Sequence, residues 1–332
     1  MNKTDIFKTN IRKIVRDCCC LKAGEKVLII SDVEQEPEIY RELFDAVTEL
    51  GGRPSIALIP VTPPGKELPD TVNEAAMEAD LILTPTTTSI YHAPGLHHAC
   101  MEGGARVLSL SECCMETFLE GGINADFKAI EPVVELLGGL YDRGKRITYS
   151  TPAGTQITAD ISGRQVYLNS GICRKSGEKI GLPTIEVFIA PVEDSVEGII
   201  VVDASCSAGV GAIEEPIIIR VEGGKAVEIT GGRQAEQLCG ILEEAGTSAV
   251  YQIAELAIGL NPRCNITGKI VEDEGKYGTC HMALGSNASF GGLNPAPLHI
   301  DMVQFHPTIH IDGQEICRDG KLTVTALPQD ML

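Results

Sequence analysis

The sequence predicts an α/β protein of two domains. An N-terminal doubly wound, flavodoxin- or Rossmann-like domain is expected over 1–145 and a C-terminal α+β domain over 146–332. Three observations predict this. Through the first part, apolar runs of strand length alternate with amphipathic helical stretches, the pattern of a parallel sheet covered on both faces. From about residue 146 the texture becomes β-rich. And 332 residues exceed the usual size of one domain.

The elements follow in order. "MNKTDIFKTNIRKIVRDCCC" reads as an amphipathic helix, with Ile6, Ile11 and Ile14/Val15 at helical spacing. "EKVLIIS" (25–31) is a buried strand, and "EIYRELFDAVTELGG" (38–52) a helix stopped by Gly51-Gly52. Strands follow at 54–60, 80–85 and 105–110. Helices are expected over 70–79, near 93–103, near 112–120 and over 129–143. No G-x-G-x-x-G follows the first strand and no G-x-x-x-x-G-K-[ST] occurs, which argues against a nucleotide cofactor. In the second part, "VEGGKAVEI" is a hairpin around Gly223-Gly224, and "RQAEQLCGILEEAG" (233–246) is a helix. "AVYQIAELAIGLNP", "GTCHMALG", "HIDMVQ" and "PTIHIDG" then read as strands and turns.

The formal net charge of −19 argues against nucleic acid and against anionic membrane surfaces, both of which need Lys/Arg patches. No apolar run reaches the length of a membrane span, and the N-terminus has no secretory h-region. Twelve cysteines without an export signal imply a reducing cytoplasm and free thiols, and no C-x-x-C spacing suggests a zinc ribbon.

The chemistry concentrates near the C-terminus. Of seven histidines, three lie in "LHIDMVQFHPTIHIDG" (298–313), and His281 lies just upstream in "GTCHMALG". On a strand, His281 shares its face with Thr279 and Ala283, so space remains in front of the imidazole. His299 and Asp301 are i and i+2 and point the same way, a platform for a divalent ion. Glu186 in "TIEVFIAP" and Glu255 in "YQIAELAIG" sit inside apolar runs, where a buried carboxylate needs a cation or strong hydrogen bonds. Taken singly, each glutamate reads equally well as an exposed strand position. Together, Glu186, Glu255 and Asp301 carry three negative charges, which two divalent ions and one hydroxide balance. Glu255 is also the candidate for a catalytic carboxylate.

Other residues attract weaker readings. His92, His97 and His98 form a second cluster, but adjacent helical histidines point about 100° apart. His306 and His310 flank the site sequence, and Arg164 is of the type that grips a substrate carboxylate. "DASCSAGVGAIEEP" (203–216) reads as a loop over the site or as a tight connection between strands. Cys206 and Cys280 lack the partners of a thiol protease.

In order, "LPTIEVFIAP", "AELAIGLNP", "ITGKIVEDEGKYGTCHMALG", "HIDMV" and "PTIHIDG" resemble the landmarks of the leucyl aminopeptidase T-like (thermophilic metallopeptidase) family. "GEKVLIISD", "ADLILTPTTTSIYH", "GARVLSL" and "AGTQITADISGR" resemble its N-terminal domain. The resemblance implies two divalent ions (zinc, cobalt or manganese) on Glu186, Glu255, His281, His299 and Asp301, activating a water against a peptide bond. It also implies a homo-oligomer. One position departs: where the family has a tyrosine, seven residues after the first metal histidine, this chain has Ala288, with Phe290 the nearest aromatic. The superfamily shared with the 2,5-dihydroxypyridine 5,6-dioxygenases offers a second reading, a single Fe(II) on His281, His299 and Asp301.

The expected function is a cytoplasmic, metal-dependent, aminopeptidase-like hydrolase acting on a small peptide or amide. The alternatives are a mononuclear iron ring-cleaving dioxygenase and a catalytically inactive metal- or ligand-binding homologue.

Overall fold

A computed structural model describes residues 2–63 and 65–327. The chain forms two compact units. One holds the residues up to Lys128 together with Ser170–Pro183; the other holds Ala129–Asn169 and Thr184 onward. The chain thus crosses between units three times rather than once near 145. The reason is the strand Lys179–Gly181, which returns to the first unit and pairs with Arg106–Ser109.

The first unit is built on a five-stranded parallel sheet. Its order is Arg53–Ile59, Lys26–Asp32, Leu81–Thr84, Arg106–Ser109, Lys179–Gly181. The order reverses between the Lys26–Asp32 and Leu81–Thr84 strands, as in doubly wound folds. Leu28, Ile30, Ile82 and Val107 of the sheet pack with Val72, Ala76, Leu96 and Ala99 of the helices Asp70–Met77 and Pro94–Met101. The N-terminal helix runs Lys3–Lys13 and continues as a wider turn over Ile14–Cys18. The helix expected near 112–120 is absent. Two 3₁₀ turns, Met115–Phe118 and Gly121–Asn124, stand there instead, joined through Leu119 and Glu120. Gly121, at φ +78°, takes the chain out of the right-handed helical region after the first turn, so no α-helix propagates through 112–120 into the second.

Arg106 braces this unit. It is 4% exposed, donates to the carbonyls of Cys19 and Cys173, and meets Glu25 Oε2 at 2.6 Å. Arg106→Met should therefore remove the cation beside the partly buried Glu25 carboxylate and leave the two carbonyls without their donor. A loss of about 3–5 kcal/mol is expected, read as a lower urea midpoint at unchanged m-value.

The second unit contains two antiparallel sheets. One has eight strands, from Lys225–Thr230 at one edge to Lys321–Leu322 at the other, and includes the expected hairpin Ile217–Glu222/Lys225–Thr230. The other has seven, in the order Gly211–Ala212, Ser205–Cys206, His299–Phe305, Thr279–Gly285, Ile253–Gly259, Glu186–Ile189, Val166–Asn169. A bulge between Ile253 and Glu255 brings Ile253 opposite Leu284 but Glu255 opposite Ala283. Val187, Ile189, Leu256, Ile258, Met282, Leu284, Ile300 and Met302 make one face of this sheet largely apolar, and all eight are buried. The opposite face carries the site. Among the described residues no helix is long and apolar enough to cross a membrane.

Candidate metal centre

The register of the seven-stranded sheet explains how the site assembles. Directly opposed residues share a face. Asn169 faces Glu186, which faces Gly259. In the next row Tyr167, Phe188, Ala257, His281, Val303 and Ser205 follow one another. Then come Glu255, Ala283 and Asp301, and finally Gly285 with His299. The ligating types are thus interleaved with Ala257, Gly259, Ala283 and Gly285. These small residues leave the space across which longer side chains converge.

The five residues singled out in the sequence come together on this face. His281 Nε2 lies 3.2 Å from Glu255 Oε1 and 3.3 Å from Glu186 Oε2. His299 Nε2 lies 3.4 Å from Glu255 Oε2 and 3.1 Å from Asp301 Oδ1. Glu255 therefore turns one oxygen to each imidazole. His299 Nδ1 sits 2.8 Å from the carbonyl of Ser286, so that nitrogen carries a proton. Nε2 is left facing Glu255 and Asp301, to which it donates in the metal-free protein and where, once deprotonated, it would offer its lone pair to a cation. Phe290 stands edge-on to the His299 ring, with centroids 5.5 Å apart.

A sixth residue escaped the sequence reading. Glu274 follows the short helix Ile270–Asp273 and joins His281 and Asp301 with ligating atoms within 4.8 Å of one another. It reaches the site because Gly259 lacks a side chain. A Cβ there would stand 2.3 Å from the Lys276 carbonyl and 2.7 Å from that of Glu274. Thr184 Oγ1 donates to Glu274 Oε1 at 3.0 Å. "VEDEGK" has the composition of an exposed turn, so its acidic residues carried no signal; the glycine at 259 was the available clue.

The electrostatics follow from crowding carboxylates in a buried place. Burial, reinforced by Glu255 and Asp301, lifts the Glu186 carboxyl to about 8. Burial and the charges of Glu186 and Asp301 lift Glu274 well above the carboxylate range. Burial alone would lower His281, but the Glu255 hydrogen bond and the Glu186 charge outweigh it and raise the imidazole to about 10. His299 is raised well above its usual value, with Asp301 and Glu255 overcoming the same burial penalty. Glu255 ends below its usual range, because hydrogen bonds from His281 and His299 outweigh burial.

Such a set fits a divalent metal. Adjacent ligand atoms about 2.0–2.2 Å from an ion stand about 2.8–3.1 Å from one another in octahedral geometry and about 3.3–3.6 Å in tetrahedral geometry. The observed separations of 3.1, 3.2, 3.3 and 3.4 Å lie within the span of these two geometries. Glu186 Oε2 is buried and accepts no hydrogen bond, as an atom reserved for a cation would be. Three clusters of potential ligands result: Glu186/Glu255/His281, Glu255/His299/Asp301 and Glu274/His281/Asp301, none containing both histidines.

The weaker candidates find other places. The Arg164 guanidinium is engaged by Glu193 and by the Gly291 carbonyl, 2.9 Å from Nη1, and so holds the loop before His299. His97 and His98 lie exposed on the helix Pro94–Met101, with His98 paired to Glu102, and His92 lies in the turn before it. His306 meets Asp319 and His310 meets Glu315. The 203–216 segment forms a tight hairpin, with Ser205–Cys206 paired to both Gly211–Ala212 and His299–Phe305. Burial pushes the Cys206 thiol up to about 12 and lifts that of Cys280 well above its usual value, so neither is a nucleophile at neutral pH.

Comparison with known proteins adds a lineage to this geometry. A family profile described as NicX, 2,5-dihydroxypyridine 5,6-dioxygenase, matches residues 8–324. The 2,5-dihydroxypyridine 5,6-dioxygenase of Pseudomonas putida is 25% identical over 198 residues, 54% of this chain and 55% of that protein. Aminopeptidase AmpS of Bacillus subtilis is 26% identical over 188 residues, 51% of this chain and 45% of that protein. The aligned regions thus span about half the length of these curated relatives. Among solved structures, the Pseudomonas putida dioxygenase superposes with a TM-score of 0.85 at 18% identity, covering both chains fully. AmpT from Thermus thermophilus superposes with a TM-score of 0.74 at 17% identity, covering 97% of this chain and all of that one. Both share its fold.

Proposed function

The chain belongs to the NicX, 2,5-dihydroxypyridine 5,6-dioxygenase, family, and within it we propose, from the geometry of the candidate metal centre, that this chain is a metal-dependent hydrolase of small peptides or amides. The single observation that carries this reading is Glu255, one of whose oxygens faces His281 while the other faces His299. One carboxylate spanning two ligand clusters is the arrangement of a two-ion centre. Glu186 and His281 would complete one position, His299 and Asp301 the other, with Glu274 as a further ligand beside His281. A pair of divalent ions there supplies Lewis acidity to a carbonyl and lowers the pKa of a water to about 7.

The chain's own groups do the rest. The Ser286 carbonyl fixes the His299 tautomer, and Phe290 fixes its ring plane. Burial of Glu186, Glu255 and His281 keeps bulk water from the carboxylates and strengthens their fields. Ala257 and Ala283 keep the floor between the ligating side chains low, while Gly259 and Gly285 let the chain's own backbone close over the sheet. Ala288, in the 3₁₀ turn Ala288–Phe290, offers no hydroxyl to a developing oxyanion.

The family match favours a second reading, a single-iron dioxygenase using His281, His299 and Asp301. The separation of the two histidines into different ligand clusters weighs against it.

Elemental analysis of protein purified anaerobically without chelators tests the choice. About two zinc, cobalt or manganese ions per chain, with turnover in a peptide and amide screen, is the expected result. One iron per chain with oxygen uptake on dihydroxypyridines would replace the hydrolase with the dioxygenase. Metal binding without turnover in either assay would leave a binding protein.

A further inference from the structure

Aromatic residues make up only 4% of the chain, yet three of them meet beside the candidate metal ligands. Tyr167 and Phe188 are directly opposed on neighbouring strands, and their rings stack with centroids 5.3 Å apart and planes 19° from parallel. Phe290 stands edge-on to both, 6.2 Å from Tyr167 at 84° and 5.6 Å from Phe188 at 77°. The same ring stands edge-on to His299. The three rings form one wall that ends on a candidate ligand.

The register fixes where that wall stands. Phe188 follows Glu186 by two on one strand, so both side chains rise from the face that carries the site. Across the sheet Phe188 opposes Ala257, and Ala257 opposes His281. Two strand spacings separate Phe188 from His281, about 9.5 Å, with only the Ala257 methyl on the floor between them. Around that methyl Glu186, Glu255 and His281 gather their ligating atoms. Phe290 is held in place from behind. Its amide donates to the Asn287 carbonyl at 3.2 Å, Arg164 donates to the Gly291 carbonyl at 2.9 Å, and the Leu293 amide donates to Glu193 at 2.7 Å.

Phe290 is buried, but Tyr167 and Phe188 are only half-buried. A stack that served packing alone would be closed over. This one keeps part of both rings in water, next to carboxylates and an imidazole that are themselves buried. On the two-ion hydrolase reading, on which this inference rests, we propose that Tyr167, Phe188 and Phe290 form the subsite for the side chain next to the scissile bond, and that it takes an aromatic ring. Rings set at near right angles offer a further ring both a face and an edge, the two arrangements that aromatic pairs favour. The wall carries no charge, so an acidic or basic side chain would shed its hydration there without a partner. A methyl group would leave the rings uncovered.

The test uses the full metal-loaded chain and two probes with one metal-binding head, L-phenylalanine hydroxamate and L-alanine hydroxamate. Calorimetry should show the phenylalanine probe binding about 10–100-fold more tightly, the effect of burying one large apolar side chain. L-cyclohexylalanine hydroxamate, of similar bulk but without a π-system, should bind about threefold or more weakly than the phenylalanine probe. Phe188→Leu and Tyr167→Leu keep apolar bulk and remove a ring. Each should cut the phenylalanine-to-alanine ratio by about threefold or more, and metal analysis of the same samples reads the two-ion centre separately. Equal binding of the phenylalanine and alanine probes by a chain holding two ions would overturn the subsite and leave the two-ion reading intact. An undiminished ratio in both variants, or a cyclohexyl probe as tight as the phenyl one, would do the same. A chain that holds no ion pair and binds no hydroxamate would overturn the two-ion centre and the subsite together.

Discussion

Glu255→Gln is expected to bring the bound divalent metal down to half the wild-type content or less. It should also weaken what remains by more than about 100-fold. Removing a group one shell away from a metal costs about 10–100-fold in affinity, and Glu255 touches both imidazoles directly. Activity should fall by at least about 10²–10³, the scale of losing one preorganised electrostatic partner. The fold should survive, because glutamine keeps the shape of the side chain and removes one charge from a crowded set of carboxylates. Metal analysis beside a chelator-competition titration reads the effect. A Glu255→Gln protein with its full metal complement and wild-type affinity would show that the carboxylate spans nothing.

The second large effect is on pH. In the metal-free protein Glu186 holds its proton up to about 8, against an ordinary 4.5, because of burial first and the neighbouring carboxylates next. His281 keeps its proton up to about 10, against 6.5, because Glu255 and Glu186 outweigh burial. Both groups bind protons more tightly folded than unfolded. Their stabilisation is therefore complete at low pH, below about 4.5 for Glu186 and 6.5 for His281. It is lost as pH rises through about 8 and about 10. Metal binding needs both groups deprotonated, so its affinity moves the opposite way and rises with pH, about tenfold per unit for each proton displaced. The metal-free protein should lose thermal stability between pH 6 and pH 9 while the metal-loaded protein loses much less. Calorimetry in two buffers of different ionisation heat should register released protons. Affinity independent of pH, with no proton release, would mean that the two groups do not face the ion.

Much of this was legible in the residues. The strands at Lys26–Asp32, Leu81–Thr84 and Arg106–Ser109 announced themselves as short apolar runs between helices, since a sheet covered on both faces has no polar side to confuse the pattern. The His299/Asp301 pair and His281 were visible through the period of two, and Glu186 and Glu255 through their apolar neighbours. What was hidden depended on chain segments meeting from afar. Glu274 looked like one more charge in a solvated turn until Gly259 let that turn settle on the sheet. The Ser286 carbonyl leaves no trace in a sequence, because any residue supplies one. Lys179–Gly181 is too short to be seen as a strand, yet it sends the chain back to the first unit.

The bulge at Ile253/Glu255 has a consequence for how the chain tolerates change in length. Ala254 is the surplus residue there, and everything from Glu255 onward takes its facing from the pairing with Thr279–Gly285. Shortening the strand at Ala254 would straighten the ladder and leave the glutamate where it is. Deleting Leu256 instead would reverse the parity of all that follows relative to Glu255, turning either the carboxylate into the apolar face or Ile258 out of it. Two neighbouring deletions of equal size should thus have opposite fates, one nearly silent and one ruinous. Along this strand, inheritance is governed less by which residue is lost than by whether the count from Glu255 to its neighbours stays even.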